Sequence, residues 1–201
     1  AGAVPDPGKA DGQNYISESF FRSDFWYRDT FDYSVRGKEQ FLNFDGINWK
    51  AEVDLNGRFL GKIDGAFLQK SFPVKGIICG GENVLAVKVI CNEHFGAVKE
   101  ADAFTSCLNG GVLGMDNPTM HASIGWDWMP TVRGRNMGIW DDVYISETGP
   151  VTLEDPFART LLPLPDTSYA RIEMEVTLVN HEDGPVTGIL EYSFGDCSSR
   201  M

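Results

Sequence analysis

The chain predicts an all-β fold, an antiparallel sandwich, and three observations carry that prediction. Apolar residues recur at every second position in short runs between about residues 25 and 90. Asn56-Gly57 separates two of those runs, where a two-residue hairpin turn needs positive φ angles. The 3.6-residue period of an amphipathic helix is hard to find anywhere.

Taken in order, "FWYRDTFDY" (25–33) is aromatic and extended, and "QFLNFDGI" (40–47) puts Leu42 and Phe44 on one face. In "WKAEVDLNGRFLGKI" (49–63), Ala51, Val53 and Leu55 alternate with Glu52 and Asp54 up to the Asn-Gly turn. "ENVLAVKVI" (82–90) turns Leu85, Val87 and Val89 inward after a Gly80-Gly81 turn. Between Cys91 and Met120 the alternation stops, although Phe95, Phe104 and Leu113 keep the stretch from reading as disordered. A long irregular connection in a compact domain is usually a functional loop, and this one is expected to wrap one end of the sandwich. Extended structure resumes in "NMGIWDDVYI" (136–145). "SETGPVTLEDP" (146–156) reads as a junction of turn formers, and "RIEMEVTLVN" and "VTGILEYSF" read as strands either side of the "HEDGP" turn.

With 201 residues, 42% of them hydrophobic, the chain can bury a core. A formal charge of −12 opposes nucleic acid and anionic membrane surfaces as non-specific partners. No apolar run approaches the 18 residues of a membrane-spanning helix, and "AGAVPDPGKADGQ" lacks the basic and apolar regions of a signal peptide. The compartment is left open, with a periplasmic or secreted setting favoured. Cys79, Cys91, Cys107 and Cys197 show no C-x-x-C spacing, and no histidine stands at ligand spacing from them, so neither a metal site nor a cofactor is expected.

The stretch "SIGWDWMPTVRGRNMGIWDDVYI" (123–145) concentrates three of the five tryptophans around an aspartate and two arginines. In an extended segment Trp126 and Trp128 share one face and Asp127 points to the other. The rings can then anchor while the carboxylate is presented. Trp126, Trp128 and above all Trp140 read first as core, because a tryptophan in a sandwich is usually a packing residue. Arg133 and Arg135 suit surface ion pairs in so acidic a chain equally well. Asp141-Asp142 is not a catalytic carboxylate pair, since adjacent strand residues face opposite sides; it reads as a solvated strand end. Asp45, Asn48 and Trp49 read as fold determinants.

Together "FWYRDTF", "FDGINWKAEVDLNGRFLG", "GENVLAVKV" and "GWDWMPTVRGRNMGIWDDVYI" resemble, in unbroken order over about residues 15–148, the N-terminal sugar-binding domain of glycoside hydrolase family 2. That family includes β-galactosidases, β-mannosidases, β-glucuronidases and exo-β-glucosaminidases. The resemblance implies a galactose-binding-like jelly-roll sandwich over 1–148, followed by an incomplete immunoglobulin-like β-sandwich over 149–201. The family's catalytic (β/α)8 barrel, with its two glutamates, has no counterpart in the sequence. The resemblance also implies that Asp127 reaches into the barrel's active site and contacts hydroxyls of the terminal sugar, with Trp126, Trp128, Arg133, Arg135 and Asn136 beside it as substrate-binding candidates. The Trp-Asp-Trp-x-Pro form is similar to the mannosidase and glucosaminidase branch. Met129 replaces a common glycine there, and Asp141 stands where many relatives carry arginine, so the sugar is left open.

Two function classes follow: the non-catalytic, carbohydrate-binding part of a β-glycosidase, partnered by a barrel not present here, or an independent lectin-like module. A pure spacer would leave the Trp-Asp-Trp segment and the long connection unused.

Overall fold

In the computed structural model the described residues are 12–15, 17–94, 96, 99–100, 103–104, 111–112 and 137–200. Two short 3-10 turns, Gly12–Tyr15 and Glu18–Arg22, precede the strands, and no α-helix occurs among the described residues. The strands are β1 (Phe25–Tyr33), β2 (Glu39–Phe44), β3 (Ile47–Asn48), β4 (Lys50–Leu55), β5 (Arg58–Asp64), β6 (Lys70–Pro73), β7 (Gly81–Val89), β8 (Lys99–Glu100), β9 (Gly111–Val112), β10 (Gly138–Ile139), β11 (Val143–Thr148), β12 (Val151–Leu161), β13 (Arg171–Asn180), β14 (Glu191–Phe194) and β15 (Cys197–Arg200). The chain divides into two compact units, one of residues 1–35 and 41–146, the other of residues 36–40 and 147–201.

The first unit contains a four-stranded sheet in the order β1-β7-β4-β5 and a three-stranded one in the order β11-β2-β6. Period-two alternation decides which side chains meet between them. Leu42 and Phe44 from β2, Ala51, Val53 and Leu55 from β4, Ile63 from β5, Phe72 from β6, and Val87 and Val89 from β7 form one buried cluster. The rings of Phe44 and Phe72 meet edge to face at 6.2 Å. Asn56 and Gly57 adopt φ of 52° and 76°, so Leu55 pairs directly with Arg58 across the two-residue turn that the sequence predicts.

That turn is locked from below. Asn83, with no exposed surface, accepts hydrogen bonds at Oδ1 from the Cys79 N–H (2.9 Å) and Asn56 Nδ2 (2.8 Å). Its own Nδ2 donates to the carbonyls of Cys79 (2.8 Å) and Gly81 (2.9 Å). Asn56 Oδ1 in turn accepts from the Val84 N–H at 2.8 Å. Buried amides are tolerated when their hydrogen-bonding capacity is used, and Asn83 makes all four of its bonds.

In the second unit β12 pairs with β13, and β14 with β15. "VTLEDP" is strand rather than junction, which corrects the sequence expectation. Asp155, at φ 49°, and Pro156 form a bulge between Glu154 and Phe157. A proline that cannot donate to the ladder is accommodated at such a point. The extra residue switches the parity of β12: Leu153 opposes Leu178 before the bulge and Ala158 opposes Met174 after it. One face of the ladder is therefore uncharged (Leu153, Ala158, Ile172, Met174, Leu178), and the other carries Glu154, Arg159, Glu173 and Glu175. The second hairpin is also relocated. Residues 186–190 are not strand, and β14 turns back on β15 at Gly195 instead of pairing across "HEDGP".

Candidate functional site

The sequence candidates Trp126, Asp127, Trp128, Arg133, Arg135 and Asn136 all lie outside the described residues. Both roots of the connection that carries them are described, and they sit on the same end of the first unit, opposite the Asn56-Gly57 turn.

The connection leaves β7 through Cys91 and Asn92. The Cys91 N–H donates to Asp24 Oδ1 at 2.9 Å, and Asp24 Oδ2 lies 2.8 Å from Lys88 Nζ. The Lys88 ammonium, then the Cys91 N–H, hold the Asp24 carboxyl below its ordinary range. Burial, reinforced by the Asp24 charge, pushes the Cys91 thiol up, so it is not an activated nucleophile. Asn92, only 3% exposed, accepts a hydrogen bond at Oδ1 from Trp49 Nε1 (3.2 Å), while its Nδ2 has no partner. Lys50 Nζ stands 4.3 Å from the centroid of the Trp49 ring.

The connection returns through Met137 into β10, where Gly138 pairs with Asn48 and Ile139 with Ile47. Trp140 follows, and here the structure overturns the expectation of a core residue: it is 52% exposed. One face of its ring lies on Gly46, where a Cβ would come within 2.4 Å of the indole and would push the ring away. Its Nε1 donates to the Ala66 carbonyl at 3.0 Å, its backbone N–H reaches the Gly46 carbonyl at 3.2 Å, and Phe67, also exposed, meets it edge-on at 6.3 Å. Asp141 and Asp142 are exposed, and Asp141 Oδ1 accepts the Asp142 N–H at 2.8 Å.

This end carries the exposed rings of Trp140 and Phe67 and the half-buried Trp49 beside Lys50, while the amides of Asn48 and Asn92 are buried. Exposed ring faces of this kind can stack on the apolar faces of sugars. The sequence reading had Trp49 and Asn48 as fold determinants and missed Asn92 and Phe67. The one sequence signal for Asn92 is an amide placed directly where an inward-alternating strand ends. A separate cleft of about 500 Å³ opens between the edges of β1 and β11, walled by Phe31, Leu42, Leu85, Val87 and Val143. Tyr27, Arg28, Asp29 and Tyr144 also line it.

With that geometry in place, comparison with known proteins is specific. The family model for the glycosyl hydrolase 2 galactose-binding domain-like fold matches residues 1–141. An exo-β-D-glucosaminidase of Streptomyces avermitilis is 26% identical over 99% of this chain and 20% of its own length. A mannosylglycoprotein endo-β-mannosidase of Lilium longiflorum is 36% identical over 65% of this chain and 14% of its own. Among solved structures, the exo-chitosanase of Amycolatopsis orientalis superposes with a TM-score of 0.68 at 18% identity, over all of this chain and 21% of that one. The β-D-mannosidase of Dictyoglomus thermophilum gives 0.62 at 23%, over 90% of this chain and 22% of that one. The chain thus spans about a fifth or less of the curated relatives it matches.

Proposed function

The chain belongs to the glycosyl hydrolase 2 galactose-binding domain-like family, and on that premise we propose that it is the non-catalytic, carbohydrate-facing N-terminal portion of a β-glycosidase acting on terminal β-linked sugars. Residues 1–148 are its jelly-roll domain. Residues 149–201 begin an immunoglobulin-like sandwich, a reading supported by the one uncharged and one charged face of the β12–β13 ladder. The acid and nucleophile belong to a barrel elsewhere in the parent, because retaining hydrolysis needs two carboxyls about 5–5.5 Å apart across the bond. This portion contributes Asp127, whose two oxygens accept hydroxyl hydrogen bonds of the stronger, charge-assisted kind, with Trp126, Trp128, Arg133, Arg135 and Asn136 supporting it.

The observation that carries the reading is that the connection bearing Asp127 leaves at Asn92 and returns at Gly138 on the end of the first unit where the Trp140 and Phe67 rings stand exposed. The test is Asp127→Ala in the full-length parent. Losing charge-assisted bonds costs about 1.5–3 kcal/mol each, so kcat/KM should fall roughly ten- to a hundredfold with the melting temperature unchanged. Early melting with normal turnover would make the aspartate a mere turn former. The exposed Trp140 and Phe67 pair favours a second reading, a lectin-like module; glycan binding by the 201-residue chain alone would support it.

A further inference from the structure

β1 ends its sheet in the order β1-β7-β4-β5, and β11 ends the other. Which backbone groups β1 leaves over follows from its partner strand. Asn56 takes both groups of Val84: its Oδ1 accepts the Val84 N–H, and its own N–H donates to the Val84 carbonyl, each at 2.8 Å. Val84 therefore faces the β4 side, and Thr30, which lies opposite Val84, turns its N–H and carbonyl away from β7. Ladder alternation extends this to Trp26, Arg28 and Asp32. Among the described residues only the Thr30 N–H of that edge is taken up, by the neighbouring Asp29 Oδ1 at 2.9 Å.

An unpaired edge of this kind is a template for another strand, and here it borders a gap. The cleft of about 500 Å³ separates β1 from β11. On its walls Phe31, Leu85, Val143 and Ile145 pack against the core while remaining only half-buried. A small ligand can cover those side chains but leaves the edge groups of β1 unpaired. An extended segment answers both, because its backbone joins the ladder and every second side chain enters the cleft. Asp29, on the same side of β1 as Tyr27 and Phe31, also lines the cleft, and it belongs to no ion pair among the described residues. A basic side chain on the segment would complement it.

The chain spans about a fifth or less of the curated relatives it matches, so a parent of their size holds most of its polypeptide elsewhere. A segment tethered in the same polypeptide acts at an effective concentration in the millimolar range, well above that of a second copy. We propose that the cleft between β1 and β11 seats a β-strand from elsewhere in the parent polypeptide. That strand is apolar at alternate positions, pairs with the outer edge of Trp26–Asp32, and carries a lysine or arginine opposite Asp29. The inference rests on the reading of this chain as part of a longer β-glycosidase.

The test uses the full-length parent with the photo-crosslinker p-benzoylphenylalanine in place of Tyr144, or of Tyr27 where the first variant fails to fold; both side chains line the cleft and are exposed. Mass spectrometry of the digested product should find an intramolecular crosslink to a peptide outside these 201 residues, with alternate apolar positions and a basic residue. Asp29→Lys should lower the crosslink yield severalfold, since like charges then face each other. In wild type, amide exchange resolved by fragmentation should show Trp26, Arg28, Thr30 and Asp32 as slow as Tyr27, Asp29 and Phe31. A crosslink to a second copy or only within these 201 residues, no crosslink from either position, an unchanged yield in Asp29→Lys, or fast exchange at every second β1 amide overturns the inference. Each of these leaves the β-glycosidase reading standing, because that is judged by the kinetics of Asp127→Ala. A natural polypeptide with nothing beyond these residues defeats that reading first, and the inference with it.

Discussion

At the Asn56-Gly57 end of the first unit, both amide atoms of Asn83 are used twice, whereas at the Asn48-Trp49 end Asn92 keeps a buried donor without a partner. Each end of the β4–β7 pair buries an asparagine amide. At the turn end the buried Asn83 amide closes on the Cys79 N–H, two carbonyls and the Asn56 amide, which favours stability. At the rim end the amide meets a tryptophan side chain, two large rings stand exposed, and a 44-residue connection departs and returns. Complete hydrogen bonding marks the turn end, whereas incomplete hydrogen bonding and exposed aromatic surface mark the end where the proposed sugar site would lie.

The sharpest way to break this contrast is Asn83→Ala. It strands the Cys79 N–H and two carbonyls at once, so the first unit should lose about 3 kcal/mol. At roughly 2–4 °C per kcal/mol for a chain of this size, its thermal transition should fall by roughly 6–12 °C. A shift under two degrees would mean that the amide knot is not what holds the turn end. Gly46→Ala tests the rim more gently. The added Cβ displaces the Trp140 ring, an overpacking cost of about 1–3 kcal/mol, relieved because the ring lies half in solvent. Tryptophan fluorescence should shift more visibly than the melting curve, and an unchanged spectrum would contradict the placement of Trp140 on Gly46.

The smallest effect concerns Asp24, which ties Cys91 to Lys88. Its folded pKa lies below the unfolded value of about 3.9, so the stability it contributes is present above that value and is lost as pH falls through the folded pKa. Asp24→Asn should therefore destabilise by about 1 kcal/mol or less at pH 7, with the difference shrinking below about pH 4. Lys88 is raised by the same contact, so its share is lost only at alkaline pH. Parallel urea titrations of wild type and variant at pH 7 and pH 3 check the sign; a gap that widens in acid would refute it.

The hairpin of β4 and β5 was legible in the sequence because alternation and Asn-Gly chemistry are local properties, and the buried faces of β2, β4 and β7 followed from period two alone. β12 was not, because Asp155-Pro156 reads locally as a turn. Only pairing with β13 makes it a bulge inside a strand, and only the bulge reveals which β12 residues share a face. Trp140 was misplaced for a related reason. Alternation says which side of a strand a ring occupies, and nothing about whether another element covers that side. A glycine 94 residues earlier in the chain decides how the ring lies.

The amino-acid sequence by itself determined the all-β class, the hairpin, the family and the presence of a tryptophan-flanked aspartate, since each depends on residues close together or on an ordered series of short motifs. The tertiary structure decided that Asn92 and Gly138, 46 positions apart, are held by adjacent residues 48 and 49, and that the aromatic rim belongs to the same end. Those are long-range contacts between side chains and strand edges. No local propensity encodes them, because the hydrogen bonds that define them form only after the strands have paired.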